Sequence, residues 1–273
     1  AASPPSEQQE MLRELLELGA PVHRISTSVG WDKRLMCSEL DYIEWEDQMV
    51  QSVLETKGEA DLFASVQSML RKSDELFSRI SVPINEQEQA WVDHKKWAIA
   101  FSRDESSFGS EDVEKLSLKT ILNALSQFSA QAHEVASERN LNGLALRFNF
   151  LKNAADSAGG EIDFRVFRWS EPTTAREIIR DVLVSGLFSK TVPRLGTIKF
   201  GTSVLALRCL LMMYGACYRA REACRVNVSV QDLIDSMVTL SKMLREEAVI
   251  EFLRDYEHTL YSALVEELVQ SPR

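Results

Sequence analysis

Apolar residues recur along most of this chain at intervals of three and four, the period of a helix with one buried face. The clearest stripe is Leu62, Val66, Met69, Leu70, Phe77 and Ile80. It predicts a helix over about 59–80, opened after Gly58 and closed before Pro83. Met11, Leu12, Leu15, Leu16 and Leu18 give a short helix behind Ser6, stopped by Gly19 and Pro21. A second helix is expected over about 31–56, on Leu35, Met36, Leu40, Ile43, Met49, Val50 and Leu54.

Beyond Pro83 the pattern continues. Asn85 with Glu88 resembles a capping box and opens a helix through Trp91, Trp97 and Phe101. Ser110 opens another, to about Arg139, and the Asn140-Leu141-Asn142-Gly143 stretch interrupts it. A helix through Leu146, Phe150 and Leu151 ends at Gly159-Gly160, the strongest boundary signal in the chain. The 161–170 stretch alternates in part, but no partner strand is in view. An extended connector or a helical turn is therefore expected. Thr173 or Thr174 caps a helix ending near Gly186, and a long apolar helix follows over about 202–225. Ser229 with Asp232 opens the next, and a last helix carries Val249, Phe252, Leu253, Tyr256, Leu260, Leu264 and Leu268.

The sum is an all-α protein, an irregular antiparallel bundle of about nine or ten helices. The glycine pair allows two helical subdomains, 1–158 and 161–273, and sharing of one core is the alternative. An apolar fraction of 45% supports a sizeable core, and 11 Gly with 7 Pro in 273 residues argue against a turn-rich β fold and against disorder.

Charge changes the picture more than composition does. The chain carries −10 overall, which disfavours casual binding to nucleic acid or anionic membrane. From Phe164 to Arg225, however, nine Arg and two Lys face four carboxylates, a net +7 that leaves −17 for the rest. Cys37, Cys209, Cys217 and Cys224 include no C-x-x-C pair. They suit a reducing, intracellular compartment, the cytoplasm foremost, with an organelle interior after removal of a targeting peptide as the alternative. The chain begins with Ala rather than Met, which reads as processing or a fragment. No run of 18 apolar residues is present; the most apolar stretch, 203–217, contains Arg208 and reads as a core helix.

Motifs for chemistry fall short. In Gly196-Thr-Ile-Lys-Phe-Gly201-Thr202-Ser203 a threonine stands where a phosphate loop needs its lysine, and no strand precedes it. What survives is an anion-attracting helix start at Thr202 and Ser203 near Lys199 and Arg194, with ordinary capping as the plainer reading. His133-Glu134 begins a metalloprotease helix, yet Ser137 stands where the second histidine belongs. Cys209, Cys217 and Cys224 fall on roughly one helical face but more than about 10 Å apart, so packing is the plainer role. Neither a nucleophile elbow nor a D-D-x-x-D run occurs; Glu44, Glu46 and Asp47, like Asp104 and Glu105, read as solvated.

Two segments interleave aromatic and basic residues: Trp91 to Trp97, with Lys95, and Phe164-Arg165-Val166-Phe167-Arg168-Trp169. The 218–225 stretch ends the apolar helix in cations, which a helix C-terminus favours in any case. These features point away from an enzyme, with no cofactor and no metal. They point to a protein-interaction or scaffold module that binds a protein partner through Arg165, Arg168, Trp169, Lys199, Arg219, Arg221 and Arg225. An anionic ligand such as RNA or a phospholipid headgroup is the alternative, and an enzyme assembled from distant helices a further one.

Overall fold

A computed structural model describes residues 29–30, 36–37, 39–58, 61–80, 116–189 and 191–270. The helices expected over 6–18 and 85–101, the Trp91 to Trp97 segment, Asp104, Glu105 and the Ser110 cap lie outside these residues. Among the described residues are ten α-helices: α1 (Glu39–Glu55), α2 (Ala64–Ile80), α3 (Leu118–Glu138), α4 (Asn142–Asp156), α5 (Pro172–Phe188), α6 (Thr191–Arg194), α7 (Ile198–Glu222), α8 (Val230–Met243), α9 (Glu247–Arg254) and α10 (Glu257–Val265). Two very short ladders accompany them. β1 (Val29–Gly30) pairs antiparallel with β2 (Met36–Cys37), and β3 (Arg168–Trp169) pairs parallel with β4 (Asn227–Val228). The protein is all-α, a helical bundle.

The helix boundaries follow local chemistry. Asp61 accepts a hydrogen bond from the Phe63 amide at 2.9 Å, so α2 begins at Ala64 rather than near Glu59. Ser117 caps α3 through the Thr120 amide. Asn140, at φ +58°, breaks the chain between α3 and α4, as the Asn-Leu-Asn-Gly run predicts. Pro172 starts α5, one residue ahead of the threonines expected to cap it, because a proline at the first helical position sacrifices no hydrogen bond. That helix ends at Phe188, two residues beyond Gly186, which packs against Leu205. The helix expected over 31–56 begins only at Glu39, since Met36–Cys37 is committed to β2. The final helical stretch is broken twice, into α9, α10 and a wide turn at Glu266–Gln270.

α7 is the centre of the molecule. Nineteen of its 25 residues are buried, so it is apolar around its whole circumference rather than on one face. By length and composition it is apolar enough to cross a bilayer, yet 94% of its most apolar window is covered by the protein itself. Helices α4, α5, α8 and α10 pack around it. Two glycines permit the approach. A Cβ on Gly201 would stand 2.2 Å from the Val192 carbonyl oxygen of α6, and one on Gly215 would stand 2.5 Å from Ser236 Oγ of α8. Ser236 uses the proximity to donate to the Met212 carbonyl at 2.9 Å. One contiguous cluster of buried side chains runs from Tyr42 in α1 to Leu268 beyond α10. It includes Trp45, fully buried, and half-buried Phe128 and Phe252 pack against it, stacked 4.7 Å apart.

Glu46, expected on a solvated face, is instead almost fully buried within α1, whereas Asp47 beside it is exposed. At about 100° per residue the helix turns Glu46 inward and Asp47 to solvent. Thr202 and Ser203, expected at a helix start, lie within α7. Their hydroxyls donate to the Ile198 and Lys199 carbonyls at 2.7 and 2.8 Å. Thr197 is the cap instead, accepting from the Phe200 amide. No exposed anion-binding helix end exists at those two hydroxyls.

Candidate functional site

The basic-aromatic segment 164–169 owes its position to the parallel pairing of β3 with β4. The Arg168 amide donates to the Val226 carbonyl and the Ser170 amide to Val228, both at 3.0 Å. This partner, some 58 residues further along the chain, is what the expectation of an unpaired 161–170 stretch missed. Just before it, Phe164–Val166 form one 3₁₀ turn, capped by Asp163. Phe164 anchors the turn by turning inward, with its ring 5.2 Å from Phe63 and 5.3 Å from Tyr214. Trp169 leans on Phe164 at 6.2 Å, and its indole N–H is buried with no hydrogen-bond partner among the described residues.

The pairing brings the turn against the last residues of α7 and the chain beyond. Between them lies a cleft of about 360 Å³, lined by Ile162, Asp163, Val166, Phe167, Arg221, Cys224, Arg225 and Val226. Val166 and Val226 stand well exposed at its mouth, 59% and 58% accessible. Cys224 sits past the end of α7, exposed and at φ +53°. It therefore does not share a face with Cys209 and Cys217, which are buried in the helix and whose thiols burial pushes up to about 12.

Of the seven predicted partner residues, the structure gathers Arg165, Arg168, Trp169, Arg221 and Arg225 around β3, β4 and this cleft. It separates the other two. Lys199 lies near the opposite end of α7, roughly 33 Å away at 1.5 Å per residue. Its ammonium sits 5.2 Å from the Tyr261 ring and 5.9 Å from Phe77. Arg219 is two residues from Arg221, hence about 200° around the helix. Its guanidinium stacks over Phe150 at 4.5 Å and reaches Thr239.

Local carboxylates take up part of the remaining charge. Asp163 accepts from Arg165 Nε at 3.0 Å and Nη2 at 3.2 Å; these side-chain bonds hold its carboxyl below the usual range. Asp232 accepts from Arg225 Nη2 at 2.8 Å and Nη1 at 3.0 Å, while completing the capping box of α8 with Ser229. Burial pushes the Asp232 carboxyl up, but the bonds from Arg225 and Ser229 outweigh it and the net direction is down. Both acids fall just outside the 164–225 window whose charge is so positive, one residue before it and seven after. Arg221, 5.8 Å from the Tyr218 ring, and exposed Arg168 make no ion pair among the described residues.

Among the described residues, no three His, Cys, Asp or Glu side chains converge as metal ligands. His133 bridges α3 to α4 by a 2.9 Å bond between Nδ1 and the Ala145 carbonyl. In the apolar cleft wall, Val166 and Phe167 belong to the aromatic-basic segment picked out by sequence, whereas Ile162 and Val226 carry no sequence signal of a site. No family model matches the chain, and no curated protein or solved structure matches it either.

Proposed function

We propose that this chain is a non-enzymatic interaction module, and that the cleft between the 3₁₀ turn and the end of α7 receives a segment of another protein. The observation that carries this reading is a recess with an apolar wall, exposed valines at its mouth and Arg221 and Arg225 on its rim. A segment presenting a bulky apolar side chain beside Asp or Glu fits that chemistry. Covering either valine stabilises the complex by up to roughly 1.5–3 kcal/mol, and Arg221 favours acidic over basic partners. A polyanion such as RNA is the weaker reading. Arg165 and Arg225 are already paired and Lys199 lies at the far end of α7, so few phosphates would be neutralised.

The experiment is selection from a displayed peptide library, followed by fluorescence polarisation of selected peptides with the full chain. Apolar-acidic peptides are expected, weakened at least tenfold by Val166→Asp or Val226→Asp and moderately by Arg221→Glu. Binding that survives both valine substitutions, or that prefers polyuridylate with a steep salt dependence, overturns the reading.

A further inference from the structure

A second recess lies near the middle of α7, about 20 Å along the helix from the cleft. It has a volume of about 350 Å³ and is bounded by α5, the turn into α6, α7 and α8, near the lower end of the range for small-ligand sites. Its chemistry is unlike that of the cleft. Arg208 projects from the central helix, Arg245 from the turn after α8, and Ser185, Ser189 and Thr191 supply hydroxyls.

Arg208 is the anomaly. A guanidinium carries five N–H donors. One of its Nη groups donates to Ser241 Oγ, which itself donates to the Met237 carbonyl. Its Nε is buried and has no hydrogen-bond partner among the described residues. Among the described residues neither Arg208 nor Arg245 makes an ion pair. Asp181 lines the recess, but its ion-pair contact is with Arg180, at 3.9 Å. Partial burial raises the Asp181 carboxyl and the neighbouring Arg180 offsets part of this, while its side chain stays 76% accessible. Burial disfavours the charge on Arg208 most, and the like charge of Arg245 adds to the effect. A cation held in a largely apolar bundle beside another cation is costly unless an anion compensates it. Among the described residues no carboxylate forms an ion pair with either cation.

We propose that this recess binds the phosphate group of a small soluble ligand, with Arg208 at its floor and Arg245 at its rim as the two cationic contacts. The planar fork of a guanidinium suits an oxyanion, which accepts two parallel hydrogen bonds from it. Ser189 and Thr191 also line the recess; their hydroxyls bond each other at 2.7 Å, and that of Ser189 reaches the Gly186 carbonyl at 3.3 Å. The site rests on different residues from the cleft, so either can fail without the other.

The test is calorimetric titration of the full chain with inorganic phosphate and with glycerol phosphate, against chloride at matched ionic strength. Vesicles containing phosphatidic acid form a separate arm. Both soluble phosphates are expected to bind and to raise the melting temperature, whereas chloride does neither. Arg245→Met, at an exposed position, should fold normally and weaken phosphate about tenfold, the loss of one charge-assisted bond. Arg208→Met should abolish the phosphate response and melt at least as high as the wild type in chloride, because it removes an uncompensated charge. Equal stabilisation of wild type and Arg245→Met by phosphate overturns the proposal. So does an Arg208→Met chain that keeps its phosphate response, or binding confined to the vesicles.

Discussion

Asp232→Ala tests how the cleft is held together. The carboxylate of Asp232 accepts the Ser229 amide at 2.8 Å, the Ser229 hydroxyl at 2.7 Å and both Arg225 Nη groups. Arg225 also donates to the Asn227 carbonyl at 2.9 Å, so this acid ties the start of α8 to β4 and to the cleft rim. Losing the capping box costs about 1 kcal/mol. The Arg225 side chain is 42% accessible and can return to water, so the ion pair adds no more than about 1 kcal/mol. A destabilisation of roughly 2 kcal/mol results, or about 4–8 °C in melting temperature for a domain of this size. Urea titrations of both chains from neutral to strongly acidic pH provide the assay. The folded Asp232 carboxyl titrates below its unfolded value of about 3.9, so its contribution is complete above that pH and is lost as pH falls through the folded value. The two stability curves should run parallel near neutrality and converge in strong acid. A gap below about 0.5 kcal/mol at neutral pH, the scale of an ordinary surface substitution, refutes the linkage. A gap that stays constant into strong acid refutes it equally.

Glycine substitutions should separate by what faces them. Gly201→Ala drives a methyl into the Val192 backbone and should destabilise by roughly 3 kcal/mol or more in a thermal melt, while Gly186→Ala meets only Leu205 and should cost about 1 kcal/mol. Gly143→Ala, with open space around it inside α4, should stabilise by about 0.5 kcal/mol on the same measurement. Trp45→Ala removes a fully buried ring and should cost about 3–5 kcal/mol by urea unfolding. Cys224 should react with maleimide in the native protein, and Cys209 and Cys217 only in denaturant, as read by peptide mass spectrometry; native labelling of Cys217 would contradict the packing of α7.

Much of the bundle is legible in the sequence because its signals are local. The Ser229-Asp232 cap, the Asn140 break and the apolar run of α7 each act within a few residues. What stays hidden depends on distance along the chain. The 161–170 stretch has no strand partner within reach, and Asn227–Val228, two residues long, gives no sign of being one. The basic segment is visible as a charge excess, and the acids that take up part of it, Asp163 and Asp232, stand only two and seven residues from Arg165 and Arg225. Arg208 shows as a lone cation in an apolar helix; that Arg245 should stand near it and no carboxylate should answer it could not be read.

The parallel pairing of β3 with β4 also dictates when the cleft comes into being. Joining Ser170 to Val228 closes a loop of 58 residues, at an entropic cost of about 4 kcal/mol. Two backbone hydrogen bonds return roughly 1 kcal/mol each, too little to close it unaided. The pair therefore waits for α5 and α7 to pack and carry its two ends together, and any slackening of those helices releases it first. The cleft thus depends on the completed packing of the helices beneath it, since the two strand bonds alone do not offset the closure of the loop.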